Sequence, residues 1–169
     1  ELKRGVSLLN KVFVSRETEF KTLNEKSKRL RQNQGHFVGL IGQSGLGKSR
    51  LKRELHSNLG GSVTWLEGNC FENTAQTAYS VFISAFTVYF DIQETDRDDE
   101  ITEKLIYKIK NLFRESDEDL SDEIIPYIGS QLFALNFEGD YAEKVKYLDA
   151  EGRRRRTFAA IRDILIEES

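Results

Sequence analysis

Apolar side chains recur along most of this chain at the three- and four-residue spacing of amphipathic α-helices. The spacing predicts a helix over residues 16–31, with Ser15 as its N-cap, and mostly helical structure from residue 77 onward. A last helix is predicted over residues 153–168. The positions that share a face in these helices are Phe20, Leu23, Ser27 and Leu30; Tyr79, Phe82, Phe86 and Tyr89; Ile101, Leu105, Ile109 and Leu112; and Phe158, Ile161 and Leu165. Pro126 is predicted to begin a further helix over residues 127–135, because proline is tolerated in a first turn.

Two short apolar runs interrupt this helical pattern and predict β-strands. Residues 36–41 (HFVGLI) and 63–66 (VTWL) are the runs. Between them, Leu51 and Leu55 mark one face of a short helix, and the pair Gly60 and Gly61 ends it. A strand–helix–strand order implies parallel strands with a right-handed connection.

A glycine-rich segment, GQSGLGKS, joins the first predicted strand to that helix and matches the phosphate-binding pattern G-x-x-x-x-G-K-[ST]. Its residues are Gly42, Gln43, Ser44, Gly45, Leu46, Gly47, Lys48 and Ser49. The three glycines are expected to take positive φ and to let the backbone approach a phosphate closely. Amide groups from Gln43 to Ser49 and the positive end of the helix would then surround the anion. We expect Lys48 to reach the β- and γ-phosphates and Ser49 to bind Mg²⁺. Nothing in the motif selects ATP over GTP.

These features together predict an α/β fold of the P-loop NTPase class, which is a doubly wound parallel sheet with helices on both faces. Two strands are too few for such a sheet against about six helices. We therefore expect the fold to be incomplete in this chain and helix-rich in its second half. The absence of methionine from a chain that begins at Glu1 also indicates a piece of a longer protein.

Composition and charge argue against nucleic acids and membranes as partners of this chain. The formal net charge of −3 over 169 residues gives no electrostatic case for nucleic-acid binding. No apolar run of 18 residues and no signal peptide are present, so no membrane segment is predicted. The single cysteine, Cys70, excludes an internal disulfide and fits a reducing cytoplasm.

Hydrolysis on a phosphate-binding loop also requires an acidic residue at the end of an apolar strand, which organises Mg²⁺. Asp91 follows apolar residues 88–90, and Asp149 begins a D-x-x-G sequence like that of a GTPase turn. However, a helical stripe runs through the residues before Asp91, while Lys144 and Lys146 interrupt any strand before Asp149. A complete small NTPase or kinase that uses one of these two aspartates is therefore kept as an alternative.

Two runs of charge are interpreted as ordinary helix surface. The acidic run at residues 96–100 suits a helix N-terminus, where negative charge opposes the helix dipole. The four arginines at residues 153–156 could suggest phosphate sensing. Four consecutive side chains on a helix point in four directions, so most of them are expected to be solvated.

The order of motifs resembles the N-terminal part of a STAND/AAA-type ATPase domain. The segments that carry the resemblance are residues 13–17 (FVSRE), 42–51 (GQSGLGKSRL), 65–70 (WLEGNC), 79–86 (YSVFISAF), 125–128 (IPYI) and 154–158 (RRRTF). The chain departs from the family pattern at Ser15, where glycine is usual. The resemblance adds Arg50, and Val14 and Arg16 near the adenine, to the candidate nucleotide-binding residues.

The resemblance also implies an ATP-dependent regulatory switch in a multidomain signalling protein, since such domains accompany adenylate/guanylate cyclases, kinases and LuxR-type regulators. It places the hydrolytic acids beyond residue 169. We predict a lead-in over residues 1–12 and one ATPase-domain segment over residues 13–169 that binds ATP and Mg²⁺ but does not hydrolyse ATP alone. Its predicted partners are the nucleotide and the rest of the polypeptide. A homo-oligomer is also compatible with the sequence. A second alternative is a helical interaction module with a vestigial phosphate loop.

Overall fold

The computed structural model describes residues 16–30, 32, 34–71 and 76–169. The chain divides into two compact units, Glu1–Val63 and Thr64–Ser169, which are described separately below. The predicted lead-in over residues 1–12 and the N-cap at Ser15 lie outside the described residues.

Every regular element in the described residues is helical. The helices are α1 (Glu17–Leu30), α2 (Lys48–Leu59), α3 (Ser80–Tyr89), α4 (Asp98–Leu112), α5 (Glu118–Leu132), α6 (Gly139–Lys146) and α7 (Ala150–Glu167), with a 3-10 turn (Gly60–Ser62) after α2. The described part of the chain contains no β-strand. The predicted α/β fold with a doubly wound parallel sheet is therefore wrong for this structure, because such a fold requires a sheet.

Neither predicted strand has a partner strand within the described residues. Residues 36–41 and 64–71 have no regular secondary structure. A strand is stabilised by backbone hydrogen bonds to a neighbouring strand and by packing of its side chains. Neither condition is met at residues 36–41, where the side chains of Phe37 and Ile41 are 101% and 99% exposed. Local β-propensity alone did not produce a strand.

Within the first unit, α1 and α2 follow their predicted patterns. Leu23 and Ser27 are buried on α1, and Leu51 is buried on α2. The side-chain amide of Asn58 on α2 donates a hydrogen bond of 2.9 Å to Asn24 on α1. The two predicted helices are thus confirmed, and Gly60 ends α2 as expected, with φ of +56°. The predicted inward face of α1 is confirmed at Leu23 and Ser27 but wrong at Leu30, which is 46% exposed.

Within the second unit, one apolar core is shared by α3, α4, α5 and α7. The predicted stripes on α3 and α4 are confirmed by burial of Phe86, Leu105 and Ile109. On α7 the predicted face is confirmed at Ile161, which is buried, and wrong at Phe158 and Leu165. The buried positions of α7 are Thr157, Ala160, Ile161 and Ile164, whereas Phe158 and Leu165 are 44% and 41% exposed.

The predicted start of a helix at Pro126 is wrong, because Pro126 is buried inside α5. A proline within a helix has no N–H for the carbonyl four residues earlier, which here belongs to Asp122. The ammonium group of Lys144 donates a hydrogen bond of 3.2 Å to that carbonyl. A side chain from α6 therefore supplies the donor that the proline removes, and α5 continues through it.

Charged groups fix several helix ends of the second unit. Helix α4 begins at Asp98, within the acidic run, and the Glu100 carboxylate accepts a hydrogen bond of 2.9 Å from the Arg97 amide. The predicted role of that run is thus confirmed. At the end of α7, the Glu168 carboxylate accepts hydrogen bonds from the hydroxyls of Thr64 and Tyr89. Of the helices in the described residues, none has both the length and the apolar character needed to cross a bilayer.

Candidate functional site

The candidate phosphate-binding segment reaches α2 through a turn at residues 44–47. Gly45 and Gly47 have φ of +83° and +81°, a region in which a residue with a Cβ is strained. The expectation that Gly42 also has positive φ is wrong. A Cβ on Gly42 would lie 3.4 Å from Leu46 Cδ1, at the edge of ordinary contact. The backbone therefore requires glycine at two of the three predicted positions.

The side chain of Lys48 folds back across this turn. Its Nζ donates hydrogen bonds of 2.7 Å to the Gly42 carbonyl and 2.8 Å to the Gln43 carbonyl. These contacts fix the ammonium group beside the loop that precedes it in sequence. A lysine ammonium has three N–H donors, so one donor remains for a further acceptor.

Helix α2 presents an uncapped N-terminus to the same turn. Gly47 is its N-cap and supplies no side-chain acceptor, and the first turn contains no acidic residue. The first intrahelical bond runs from the Leu51 amide to the Gly47 carbonyl at 3.0 Å. The amides of Lys48, Ser49 and Arg50 precede that bond, so they lie at the positive end of the helix dipole. Together with the Lys48 ammonium, they form a site that suits an anion.

The loop also fits a metal that is bound mainly through phosphate oxygens. Ser49 is exposed in the first turn of α2, next to Lys48. Within the described residues, no three histidine, cysteine or acidic side chains cluster as metal ligands would. Mg²⁺ in nucleotide sites keeps several waters and needs only one or two protein ligands besides the phosphates. A single hydroxyl from Ser49 is compatible with that role.

The family follows from comparison with known proteins. A family model described as "AAA ATPase domain" matches residues 12–167, which is most of the chain. The chain belongs to this AAA ATPase domain family. No curated protein and no solved structure matches the chain. Membership makes this a nucleotide-binding domain of the ATPase type, and the matched range includes the whole candidate phosphate-binding segment at residues 42–49.

Other predicted nucleotide-binding residues of this AAA ATPase domain lie outside the loop. Val14 lies outside the described residues. Arg16 directly precedes α1, and its guanidinium forms an ion pair of 3.3 Å with Glu19. Arg50 lies in the first turn of α2, 4.0 Å from Glu54. These ion pairs are ordinary helix-surface contacts, so the involvement of Val14, Arg16 and Arg50 in nucleotide binding stays a prediction.

The two alternative hydrolytic aspartates of this AAA ATPase domain have structural roles. Asp91 follows α3 with a positive φ of +54°, and its carbonyl accepts a hydrogen bond of 2.8 Å from Lys104. Asp149 is the N-cap of α7, where its carboxylate accepts a hydrogen bond of 2.7 Å from the Gly152 amide. Neither lies at the end of a strand, so the alternative that required such a strand is wrong.

The arginines at residues 153–156 are mostly solvated, as expected. Arg153 is half-buried and donates a hydrogen bond of 2.6 Å to the Leu148 carbonyl. The three arginines that follow it are exposed. Arg155 pairs with Glu151 at 3.1 Å, with both side chains about four-fifths exposed (78% and 81%).

Sequence reasoning missed the anchoring of Lys48. The two acceptors are backbone carbonyls, which every residue carries, so no residue type marks them. The uncapped start of α2 could have been identified, because the letters KSRL contain no acidic residue. The lack of an acidic residue in this first turn favours binding of an anion at the helix N-terminus, as the glycine pattern also does.

Proposed function

We propose that Gly42, Gln43, Ser44, Gly45, Leu46, Gly47, Lys48, Ser49 and Arg50 bind the phosphates of ATP together with Mg²⁺. The observation that carries the proposal is a turn with two positive-φ glycines that enters an uncapped helix, with the Lys48 ammonium held across it. Backbone amides would surround the phosphates, and Lys48 would exchange a carbonyl contact for a phosphate oxygen. Ser49 would hold Mg²⁺, which when bound neutralises charge on the β- and γ-phosphates.

The test is calorimetric titration of the whole chain with ATP, ADP and GTP in the presence of Mg²⁺. We expect Lys48→Ala to weaken ATP binding about ten- to a hundredfold, because a hydrogen bond to a charged group contributes about 1.5–3 kcal/mol. The matched control is Arg53→Ala, which removes one exposed positive charge from the same helix. Equal losses in both variants would contradict a specific role for Lys48.

We further propose that binding serves regulation and that the groups for hydrolysis are supplied from outside residues 1–169. Support comes from the structural roles of Asp91 and Asp149 and from the finding that, in the described residues, no three acidic, histidine or cysteine side chains are grouped so as to hold a metal ion. The chain should therefore release phosphate from ATP no faster than its Lys48→Ala variant does. Turnover that depends on Lys48 would contradict this part of the proposal while leaving the binding proposal intact.

The wider setting is also a proposal. The resemblance to STAND/AAA-type domains supports a place within a multidomain cytoplasmic signalling protein, next to an effector such as a cyclase or kinase domain. The single, exposed cysteine at position 70 is compatible with a reducing compartment. ATP-dependent change in the activity of such an effector, lost in Lys48→Ala of the longer protein, is the measurement that tests it.

A further inference from the structure

A groove on the outer side of α7 has no part in the proposed nucleotide site. It has a volume of about 640 Å³ and is lined by Ala150, Glu151, Arg154, Arg155 and Phe158. We name it the α7 groove. All five lining residues belong to α7, so the groove is an open surface feature and not an enclosed pocket. It lies entirely in the second unit.

The aromatic part of the α7 groove is held in place while it stays accessible. The Phe158 ring packs edge-on against Tyr79 and Phe82, with centroid distances of 5.6 and 6.0 Å. Even so, 44% of Phe158 is exposed. A ring that is fixed by two neighbours loses little conformational freedom when a ligand covers it, so Phe158 suits the role of an anchor.

The charged part of the α7 groove is positive and only weakly neutralised. Within the described chain, Arg154 has no acidic partner, and Arg155 has only its solvated ion pair with Glu151. Exposed pairs of this kind contribute little and exchange readily. Residues 149–156 contain four arginines against two acidic side chains, in a chain whose net charge is −3. The positive charge is therefore local to this stretch of α7.

We propose that the α7 groove docks an acidic peptide segment of a partner protein, with carboxylates on Arg154 and Arg155 and an apolar or aromatic side chain on Phe158. The charge complementarity is direct, because the arginine guanidinium pairs with carboxylates through two parallel hydrogen bonds. A nucleic acid would meet the same arginines, but a long polyanion extends past the groove and meets the acidic remainder of the chain, whereas a short acidic peptide contacts only the positive stretch of α7.

The experiment is a fluorescence-anisotropy titration of the whole chain against a labelled peptide, Glu-Asp-Phe-Glu-Asp, at low salt. It is performed in the Lys48→Ala background, so that its outcome does not depend on the proposed nucleotide site. Arg154→Glu combined with Arg155→Glu should weaken binding at least about tenfold, because attraction becomes repulsion. The matched control, Lys28→Glu combined with Arg29→Glu on α1, changes the net charge equally and should leave binding within about twofold.

Two further variants separate the contacts of the α7 groove. Glu151→Gln removes the competing carboxylate and frees Arg155, so it should strengthen peptide binding about two- to fivefold. Replacing the phenylalanine of the peptide with alanine should weaken binding several-fold through loss of the contact with Phe158. Gain of affinity in Glu151→Gln cannot arise from misfolding, and circular dichroism checks the fold of the other variants.

Four outcomes would overturn the proposal. The first is absence of saturable binding up to about 1 mM peptide, a weak affinity on the usual scale. The second is equal loss in the α7 and α1 charge reversals, which indicates nonspecific attraction. The third is tighter binding of inorganic triphosphate than of peptide at this groove. The fourth is self-association in sedimentation equilibrium that the Arg154 and Arg155 reversals abolish, which makes the occupant a second copy of the chain.

Discussion

The two compact units of this domain differ in how they use apolar side chains. The unit Thr64–Ser169 buries a continuous core in which Leu105, Ile109 and Ile164 have no exposed area. In the described part of the unit Glu1–Val63, Leu23 and Leu51 are the buried apolar residues, while the run at 36–41 is open. The candidate nucleotide-binding segment therefore lies in the unit with the smaller apolar core. We expect substitutions in the first unit to change mainly nucleotide binding and substitutions in the core of the second unit to change mainly stability.

The largest expected effect is on the core of the second unit. Ile164→Ala should lower the free energy of unfolding by about 2–5 kcal/mol, because it removes buried methyl groups and leaves a cavity. Ile166, two residues away on α7, is 62% exposed, and Ile166→Ala should change stability by less than about 0.5 kcal/mol. Urea denaturation followed by circular dichroism measures both. Similar costs for the two variants would show that the described core does not govern stability.

The accuracy of sequence-based prediction also differs between the units. In the second unit the periodic stripes identified the helices, because each stripe has a core to pack against. On α7 the pattern identified Ile161 but not Thr157, because Phe158 beside it is the more apolar residue, and Leu165 is as apolar as its buried neighbour Ile164. Pro126 was placed at a helix start because the donor that compensates for it, Lys144, lies eighteen residues away in sequence.

In the first unit, the backbone conformation of the glycine turn was easier to predict than the fold. The glycine pattern predicted positive φ correctly at Gly45 and Gly47 but wrongly at Gly42. A turn of this kind is set largely by the residues within it. The strand predicted at residues 36–41 needed a partner strand, which no local pattern can guarantee. Predicting a strand therefore requires knowledge of a second segment that pairs with it, whereas predicting a turn glycine requires only the local sequence.

The next effect concerns nucleotide binding by the first unit. In Gly47→Ala a Cβ strains the left-handed conformation by about 1–2 kcal/mol. The free turn should therefore relax to another conformation, and the cost of returning to the present one should weaken ATP binding about five- to thirtyfold. Gly35→Ala is the matched control, since open space surrounds Gly35 and its φ is not in that region. Calorimetry measures affinity, and the urea midpoint of the second unit should not move. A large shift of that midpoint would show that the units are not separable.

A smaller effect, of about 1 kcal/mol, is the coupling between Lys144 and the proline inside α5. Lys144→Met should cost about 1–3 kcal/mol, because it leaves the Asp122 carbonyl without its donor. In a Pro126→Ala background the helix supplies an N–H to that carbonyl, so the same substitution should cost about 1 kcal/mol less. A double-mutant cycle in urea denaturation measures this coupling. Glu123→Gln is the control for loss of the exposed ion pair between Lys144 and Glu123. Additive costs would contradict the compensation of the proline by Lys144.

The smallest effect is a pH dependence in the second unit. The Tyr141 hydroxyl donates a hydrogen bond of 2.6 Å to the Asp122 carboxylate, and Lys110 lies 3.1 Å away. These contacts lower the pKa of Asp122, with the Tyr141 hydrogen bond as the larger cause. Burial and the same hydrogen bond raise the pKa of Tyr141 to about 12, so Tyr141 remains a donor throughout the acidic range.

Because the folded pKa of Asp122 lies below the unfolded value of about 3.9, its contribution is fully present above that value. It is lost as the pH falls through the folded pKa. Solvent screening at this partly exposed site limits the contribution to less than about 1 kcal/mol. Tyr141→Phe and Asp122→Asn should each flatten the fall in melting temperature between about pH 4.5 and pH 2. An unchanged slope in Tyr141→Phe would show that its hydroxyl does not hold Asp122 ionised, and the acid sensitivity of this unit would then belong to other carboxylates.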